Sequence, residues 1–163
     1  MNTTVVVRPA TETDAESLGR VHAACWHETY DHLLSQAALS QLRPQRLAAM
    51  WRRFTTQGPG YRQCVALVDD EIVGFAGSGP SRDDDHPSTH ELYFMYLLDA
   101  QHGSGIGQKL FDSVVDPGPS SLWVAADNPR AHAFYARNGY LADGHEHTEE
   151  VLGEQLHEVR LVR

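Results

Sequence analysis

The chain has 163 residues, with 13 Lys and Arg against 22 Asp and Glu, a formal charge of −9 with neutral His. That length predicts one domain with one core, and 41% apolar with 21% charged residues excludes a collagen-like, coiled-coil or wholly disordered chain. The acidic balance argues against non-specific nucleic-acid binding, which rests on Lys and Arg neutralising phosphates.

Cys25 and Cys64 stand far apart and form no Cys-x-x-Cys pair, so two buried thiols in a reducing cytosol are expected. Met1 to Arg8 holds a short apolar run without the central region or cleavage site of a signal peptide. No stretch approaches the roughly 20 apolar residues of a membrane helix. The expectation is a soluble, cytoplasmic protein with no membrane partner.

Val5-Val6-Val7, stopped by Pro9, predicts a first strand. Thr11 and Asp14 form a variant capping box, and Ala15, Leu18, Val21 and Cys25 recur at helical spacing, predicting a helix over about 12–26. Trp26 to Leu34, rich in aromatics and His, reads as a packed connection. A short helical piece around Ser35 to Leu42 precedes a helix opened by Pro44, whose Leu47, Met50, Trp51 and Phe54 form one apolar stripe. Gly58-Pro59-Gly60 ends this helical region.

Cys64 to Val68 and Ile72 to Ala76, around Asp69-Asp70-Glu71, predict a hairpin. Gly79 to Ser88 is polar and reads as a surface loop. Glu91 to Leu98 has the pattern of a strand buried on both faces and runs into Gly103-Ser104-Gly105-Ile106-Gly107. Ile106, Leu110 and Val114 mark a helix, broken at Asp116 to Ser120. Leu122 to Ala126 is a strand. Asn128 caps a helix with Pro129 at its first position and Gly139 just past its end. Strand-like segments around Leu141 to Glu146 and Leu156 to Val162 close the chain. The alternation predicts an α/β fold with a mixed sheet, six to seven strands and about four helices, in a single domain over 1–163.

The strand–glycine–helix junction over Glu91 to Val115 carries the most chemistry. Alternate glycines admit backbone shapes closed to other residues, and the amides of a helix start point outward with the positive end of the dipole behind them. Such a junction suits a phosphate; a tight turn without a ligand uses the same residues. The dinucleotide fingerprint fails because position 108 is Gln108, and the P-loop fails because Lys109 is followed by Leu110.

His102-Gly103-Ser104-Gly105-Ile106-Gly107 resembles the CoA pyrophosphate loop of the GNAT superfamily of N-acetyltransferases, with His where that family has Arg or Gln. Leu122 to Tyr140, with Asn128, Ala131, Phe134-Tyr135 and Gly139-Tyr140, is similar to the family's second signature. Arg8-Pro9-Ala10-Thr11 and Ile72-Val73-Gly74-Phe75 match as well, so the resemblance spans nearly the whole chain.

The resemblance implies the GNAT fold and an acetyl-CoA-dependent N-acetyltransferase acting on a primary amine, without a metal. It implies that His102, Gly103, Ser104, Gly105, Ile106, Gly107 and Gln108 hold the CoA pyrophosphate, with a freed N–H near Leu97 polarising the acetyl carbonyl. It implies Tyr135 as general acid toward the thiolate, Asn128 in the cofactor cleft as well as at the helix cap, and Glu91 as general base, with deprotonation through ordered water as an equal alternative and a plain strand-end carboxylate as the other reading of Glu91. Phe134 is expected to be core. Trp26, Tyr30 and Asp83-Asp84-Asp85-His86 fall in segments flanking the acceptor pocket; a solvated loop is the default for the aspartates. His145-Glu146-His147 puts two imidazoles on one strand face, but no third ligand is identifiable. Homodimers are common in the family. A non-catalytic acyl-CoA-binding module of the same fold is the alternative.

Overall fold

The computed structural model describes residues 2–55, 58–85 and 88–163; Met1, Thr56, Gln57, His86 and Pro87 lie outside the described residues. The elements run β1 (Val5–Pro9), α1 (Ala15–Tyr30), α2 (Gln36–Leu39), α3 (Pro44–Phe54), β2 (Arg62–Val68), β3 (Glu71–Pro80), β4 (His90–Leu97), α4 (Ile106–Val114), β5 (Ser121–Ala125), α5 (Pro129–Arg137), β6 (Leu141–Val151) and β7 (Glu154–Val162). The strands form one seven-stranded sheet in the order β1-β2-β3-β4-β5-β7-β6. Every pairing is antiparallel except β4 with β5.

The helices divide between the two faces of the sheet. Ile106, Leu110, Phe111 and Val114 of α4 pack with Ala66, Ala76, Leu92, Leu122, Val124 and Tyr135 on one side. On the other, Leu18 and Cys25 of α1 and Trp51 of α3 pack on Val65, Ile72 and Phe75. Gly19 lets α1 and α3 touch, because an added methyl carbon would collide with the carbonyl oxygen of Pro44. The start of α1 is fixed by Asp14, whose Oδ2 accepts the Thr11 amide at 2.8 Å while both oxygens accept the Arg8 guanidinium at 2.8 and 2.9 Å. Cys25 and Cys64 are free thiols, both buried.

Three segments differ from the sequence reading. Trp26 to Tyr30 is not a connection but the last turn of α1. Its aromatics rest on Tyr96 across the sheet, and that burial outweighs their modest helix propensity. Gly79 and Pro80 belong to β3, not to the loop, and Pro80 is its last residue, where a missing ladder donor matters least. β6 runs on to Val151, because its polar residues pair register by register with β7 even though almost all are exposed.

Two irregularities position the site. The β3–β4 register slips by one at Tyr93, since Gly77 faces Phe94 while Ser78 faces Leu92. Without that bulge strict alternation would put Glu91 on the face opposite Phe94 and Tyr96; with it all three reach the α1/α3 side. Second, β4 and β5 pair only at Glu91–Ser121 and Leu92–Leu122. Beyond these residues the two parallel strands part, leaving a gap in the middle of the sheet at Met95 to Leu97.

Candidate active site

The gap opens into a cleft of about 600 Å³ on one side and a cavity of about 730 Å³ on the other. Among the described residues, Tyr96 alone lines both. Its hydroxyl lies 2.7 Å from that of Tyr30, so a phenol pair stands at the junction.

The cleft is bounded by the end of β4 and the starts of α4 and α5. Leu97, His102, Gly103, Gly105, Gly107, Gln108, Asn128 and Tyr135 of the sequence-predicted set line it. Ser104 and Ile106 do not. The Ser104 hydroxyl donates to the Gln101 carbonyl at 2.6 Å and accepts the Ile106 amide at 3.3 Å, while the Ile106 side chain is buried in the core. Gly103 and Gly105 have φ of +78° and +83°, and an added Cβ at either would meet nothing within 4 Å. Those positions therefore need glycine for their backbone shape and leave the space before α4 open. With the amide-bearing start of a nine-residue helix behind them, they fit an anionic diphosphate.

His102 has a local job that its place in the motif did not announce. Its Nε2 lies 3.0 Å from the carbonyl oxygen of Leu97 and its Nδ1 lies 3.4 Å from Asp99, tying the loop to the end of β4. Gln108 donates to Asp112 and Asn138 at 2.9 and 2.8 Å, joining α4 to the end of α5. Asn128 accepts the Ala131 amide at 3.2 Å as the cap of α5. Phe134, expected to be core, is only partly buried and lines the cleft. Tyr135 is 7% exposed, and burial pushes its phenol well above the ordinary tyrosine range, so it is held as the protonated acid.

The second cavity is walled by side chains from seven helices and strands and from the loop at Arg82 and Asp83. Trp26, Tyr30, Trp51, Phe75, Phe94 and Trp123 are among its rings. His22 sits among them as a neutral imidazole: its Nδ1 accepts the Trp51 indole N–H at 3.2 Å, and burial lowers its pKa to about 4.

Glu91 lines this cavity, not the cleft. Its side chain is 1% exposed; Oε2 accepts from the Arg82 guanidinium, and Oε1 has no partner. Burial raises its pKa above the ordinary 4.5, with the Arg82 contact opposing.

The aspartate loop is not merely solvated. Asp85 and Asp143 accept from Arg160 at 2.7 Å each, Asp83 lies 3.6 Å from it, and Asp83 also accepts the Trp123 indole N–H at 2.9 Å. Arg160 is 2% exposed, so two of the three carboxylates are used to bury a cation beneath the loop. His86 lies outside the described residues. His145 and His147 part company. His145 faces Asp85 and Asp143, whereas His147 stacks on Trp123 at 3.8 Å and lies 3.1 Å from Glu158.

Sequence reasoning missed His22, Trp51, Trp123, Glu149 and Glu158 as cavity residues. Each sits on a face of an ordinary helix or strand, and only the packing of separate elements brings them together.

The sequence model of the Acetyltransferase (GNAT) family matches residues 23–140, more than half of the chain. The chain belongs to the GNAT acetyltransferase family. An uncharacterized N-acetyltransferase of Bacillus subtilis (strain 168), YuaI, is 29% identical over 134 residues, covering 77% of this chain and 74% of YuaI. The fold is shared with the PaiA N-acetyltransferase of Thermoplasma acidophilum, solved in complex with coenzyme A, at a TM-score of 0.71, 17% identity and coverage of 96% of this chain and 98% of that one. It is shared equally with Arabidopsis thaliana NAA60, solved with a bisubstrate analogue, at a TM-score of 0.69 and 16% identity over 98% of both chains. No helix among the described residues is long and apolar enough to cross a membrane.

Proposed function

We propose that the protein transfers the acetyl group of acetyl-CoA to a primary amine by direct attack within a ternary complex. The observation that carries the reading is the meeting of a glycine-floored cleft and an acidic, aromatic cavity at the Tyr96 junction. One side has the features of an anion cradle, the other those of an amine receptor, and the reacting atoms meet between them.

Bound acetyl-CoA supplies an activated acetyl thioester. The backbone amides over Gly103 to Gln108 hold its pyrophosphate, assisted by the α4 dipole. An N–H near Leu97, on the part of β4 that β5 leaves, polarises the acetyl carbonyl. Glu91 takes the proton that an alkylammonium, with a pKa of about 10.4, must lose before it attacks. Its place near the start of β4, five residues before Tyr96, sets it back from the junction, so ordered water relays the proton. Its raised pKa makes it a better base than an exposed carboxylate. As the new N–C bond forms and the C–S bond breaks, the nitrogen gives up its second proton to water, Tyr135 gives its phenolic proton to the departing sulfur, and solvent returns a proton to Tyr135. A thiolate of pKa about 8.5 and a phenol of pKa about 10 exchange a proton readily once both leave water.

The test is an acetyl-CoA-dependent thiol-release screen across polyamines, aminoglycosides, amino acids and peptides. Release with one or more amines is expected. Tight CoA binding with no release from any of them would leave a non-catalytic acyl-CoA-binding module.

A further inference from the structure

Aromatic rings dominate the wall of the second cavity. All three tryptophans of the chain line it, and Phe54, Phe75 and Phe94 join them. Trp51 is fully buried and meets Phe54, Phe75 and Phe94 edge-on, with ring centres 5.8, 5.3 and 5.5 Å away. Phe54 and Phe94 are only partly buried, so this packed group still shows ring surface. Phe94 is seated over Gly77, where an added Cβ would fall 2.3 Å from the ring. Trp26 packs on Tyr30 and Tyr96 with ring centres 4.7 and 6.0 Å apart.

The polar groups among these rings are largely spent inside the protein. His22 is neutral and accepts the Trp51 N–H, and the Tyr30 and Tyr96 hydroxyls bond each other at 2.7 Å. The Tyr93 hydroxyl donates to the Pro80 carbonyl, Arg82 to Glu91, and the Trp123 indole to Asp83. His147 lies 3.1 Å from Glu158. The Trp26 indole N–H has no partner but is sealed from solvent. Thr148 and Glu149, by contrast, are exposed on β6. A guest carrying several hydroxyls or ammonium groups needs a partner for each of them on leaving water. This wall supplies ring faces and edges instead, which suit another ring.

Resting on the acetyl-transfer reading, we infer that the acceptor is an arylalkylamine: a primary amine joined by a short alkyl link to an aromatic ring, with the nitrogen at Tyr96 and the ring against Phe94 and Phe54. Phe94 and Tyr96 line the same cavity from one face of β4, two residues apart, roughly 7 Å by strand rise. Neighbouring side chains of one strand thus hold the ring and present the nitrogen to the gap where β4 and β5 part. The ring undergoes no chemistry; its burial aligns the amine. A polyamine or an aminoglycoside would leave its further ammonium or hydroxyl groups among the rings without partners.

The experiment reads occupancy and turnover separately. Because all three tryptophans line the cavity, the protein's own tryptophan fluorescence reports a guest without any chemistry. 2-Phenylethylamine is expected to change the emission saturably at concentrations where 1,4-diaminobutane does not. In the thiol-release assay with acetyl-CoA, 2-phenylethylamine should exceed 1,4-diaminobutane and kanamycin by about 10-fold or more in kcat/KM. It should exceed 2-cyclohexylethylamine, equally apolar but without a ring face, by about threefold. In Phe94→Leu, checked for folding by its thermal transition, that last advantage should shrink toward one while KM for acetyl-CoA holds; an undiminished advantage overturns the placement against Phe94. Diaminobutane or kanamycin turned over as well as 2-phenylethylamine overturns the inference and leaves acetyl transfer standing, and so does an equally good cyclohexyl compound; neither comparison needs a variant. A fluorescence response to 2-phenylethylamine with no thiol release from any amine overturns acetyl transfer and supports the aromatic guest. Neither response nor release overturns both.

Discussion

The two halves of the site are built in different ways. The proposed cofactor cleft takes half of its lining from one contiguous stretch, the end of β4, the glycine loop and the first turn of α4, and the reading assigns the holding of the cofactor there to backbone amides. The proposed acceptor cavity is made from side chains contributed by α1, α3, β3, β4, β5, β6 and β7 with the loop at Arg82 and Asp83. A ligand common to a whole family can be held by main chain, which tolerates sequence change. A ligand peculiar to one protein has to be read by side chains, and these come from wherever the fold brings them near.

The contrast can be broken most directly at the loop. Gly105→Glu forces a side chain into left-handed backbone and sets a carboxylate where the diphosphate would lie. CoA affinity measured by calorimetry should fall by about 100-fold or more, with the amine cavity intact. Normal CoA binding by this variant would remove the loop from the cofactor site.

Next in size is Tyr135→Phe, where kcat should drop about 10²-fold if proton delivery to sulfur limits turnover. Its KM for acetyl-CoA should hold, because the ring stays in the core. Unchanged turnover would take Tyr135 out of the acid role.

Glu91→Gln tests the cavity side. A fall of about 10- to 100-fold in kcat/KM is expected. The sign of its pH dependence follows from the raised pKa of Glu91: the base works as the carboxylate, so activity climbs as pH rises through a value above 4.5. The Gln variant should lose that acid limb. A profile that keeps the limb in the variant would assign it to another group.

The smallest effect on chemistry, and a structural one, is expected from Arg160→Met. The cation is 2% exposed and holds Asp83, Asp85 and Asp143. Removing it leaves partly exposed carboxylates facing one another. About 2 kcal/mol of stability should be lost in urea melts, below the 3–5 kcal/mol of a fully buried pair. Loss of the Trp123 wall should raise KM for the amine while that for acetyl-CoA stays put.

How far the sequence could be read follows the same division. The left-handed glycines of the loop, the Asn128 cap and the helix that carries Tyr135 were legible because each is a local pattern with a local cause. The helix over Trp26 to Tyr30 was not, because its aromatics favour helix only once Tyr96 offers them a surface. Glu91 was picked by its place on the strand, but the face it reaches depends on the Tyr93 bulge, which leaves no mark in the pattern. The aspartate run looked like a solvated loop because its partner, Arg160, lies 75 residues from Asp85. His147 had no visible third ligand for a similar reason. Glu158 joins it through strand pairing, 11 residues away.

By itself, then, the sequence determined the class of fold, the order of its elements and the left-handed glycines that open the space before α4, because hydrophobic period, capping residues and glycine conformations act over a few residues. Tertiary structure alone decided which side chains share the acceptor cavity, which carboxylates are already paired with arginine and which are left facing open space. Burial and charge pairing depend on neighbours that are distant in sequence, and no local pattern announces them.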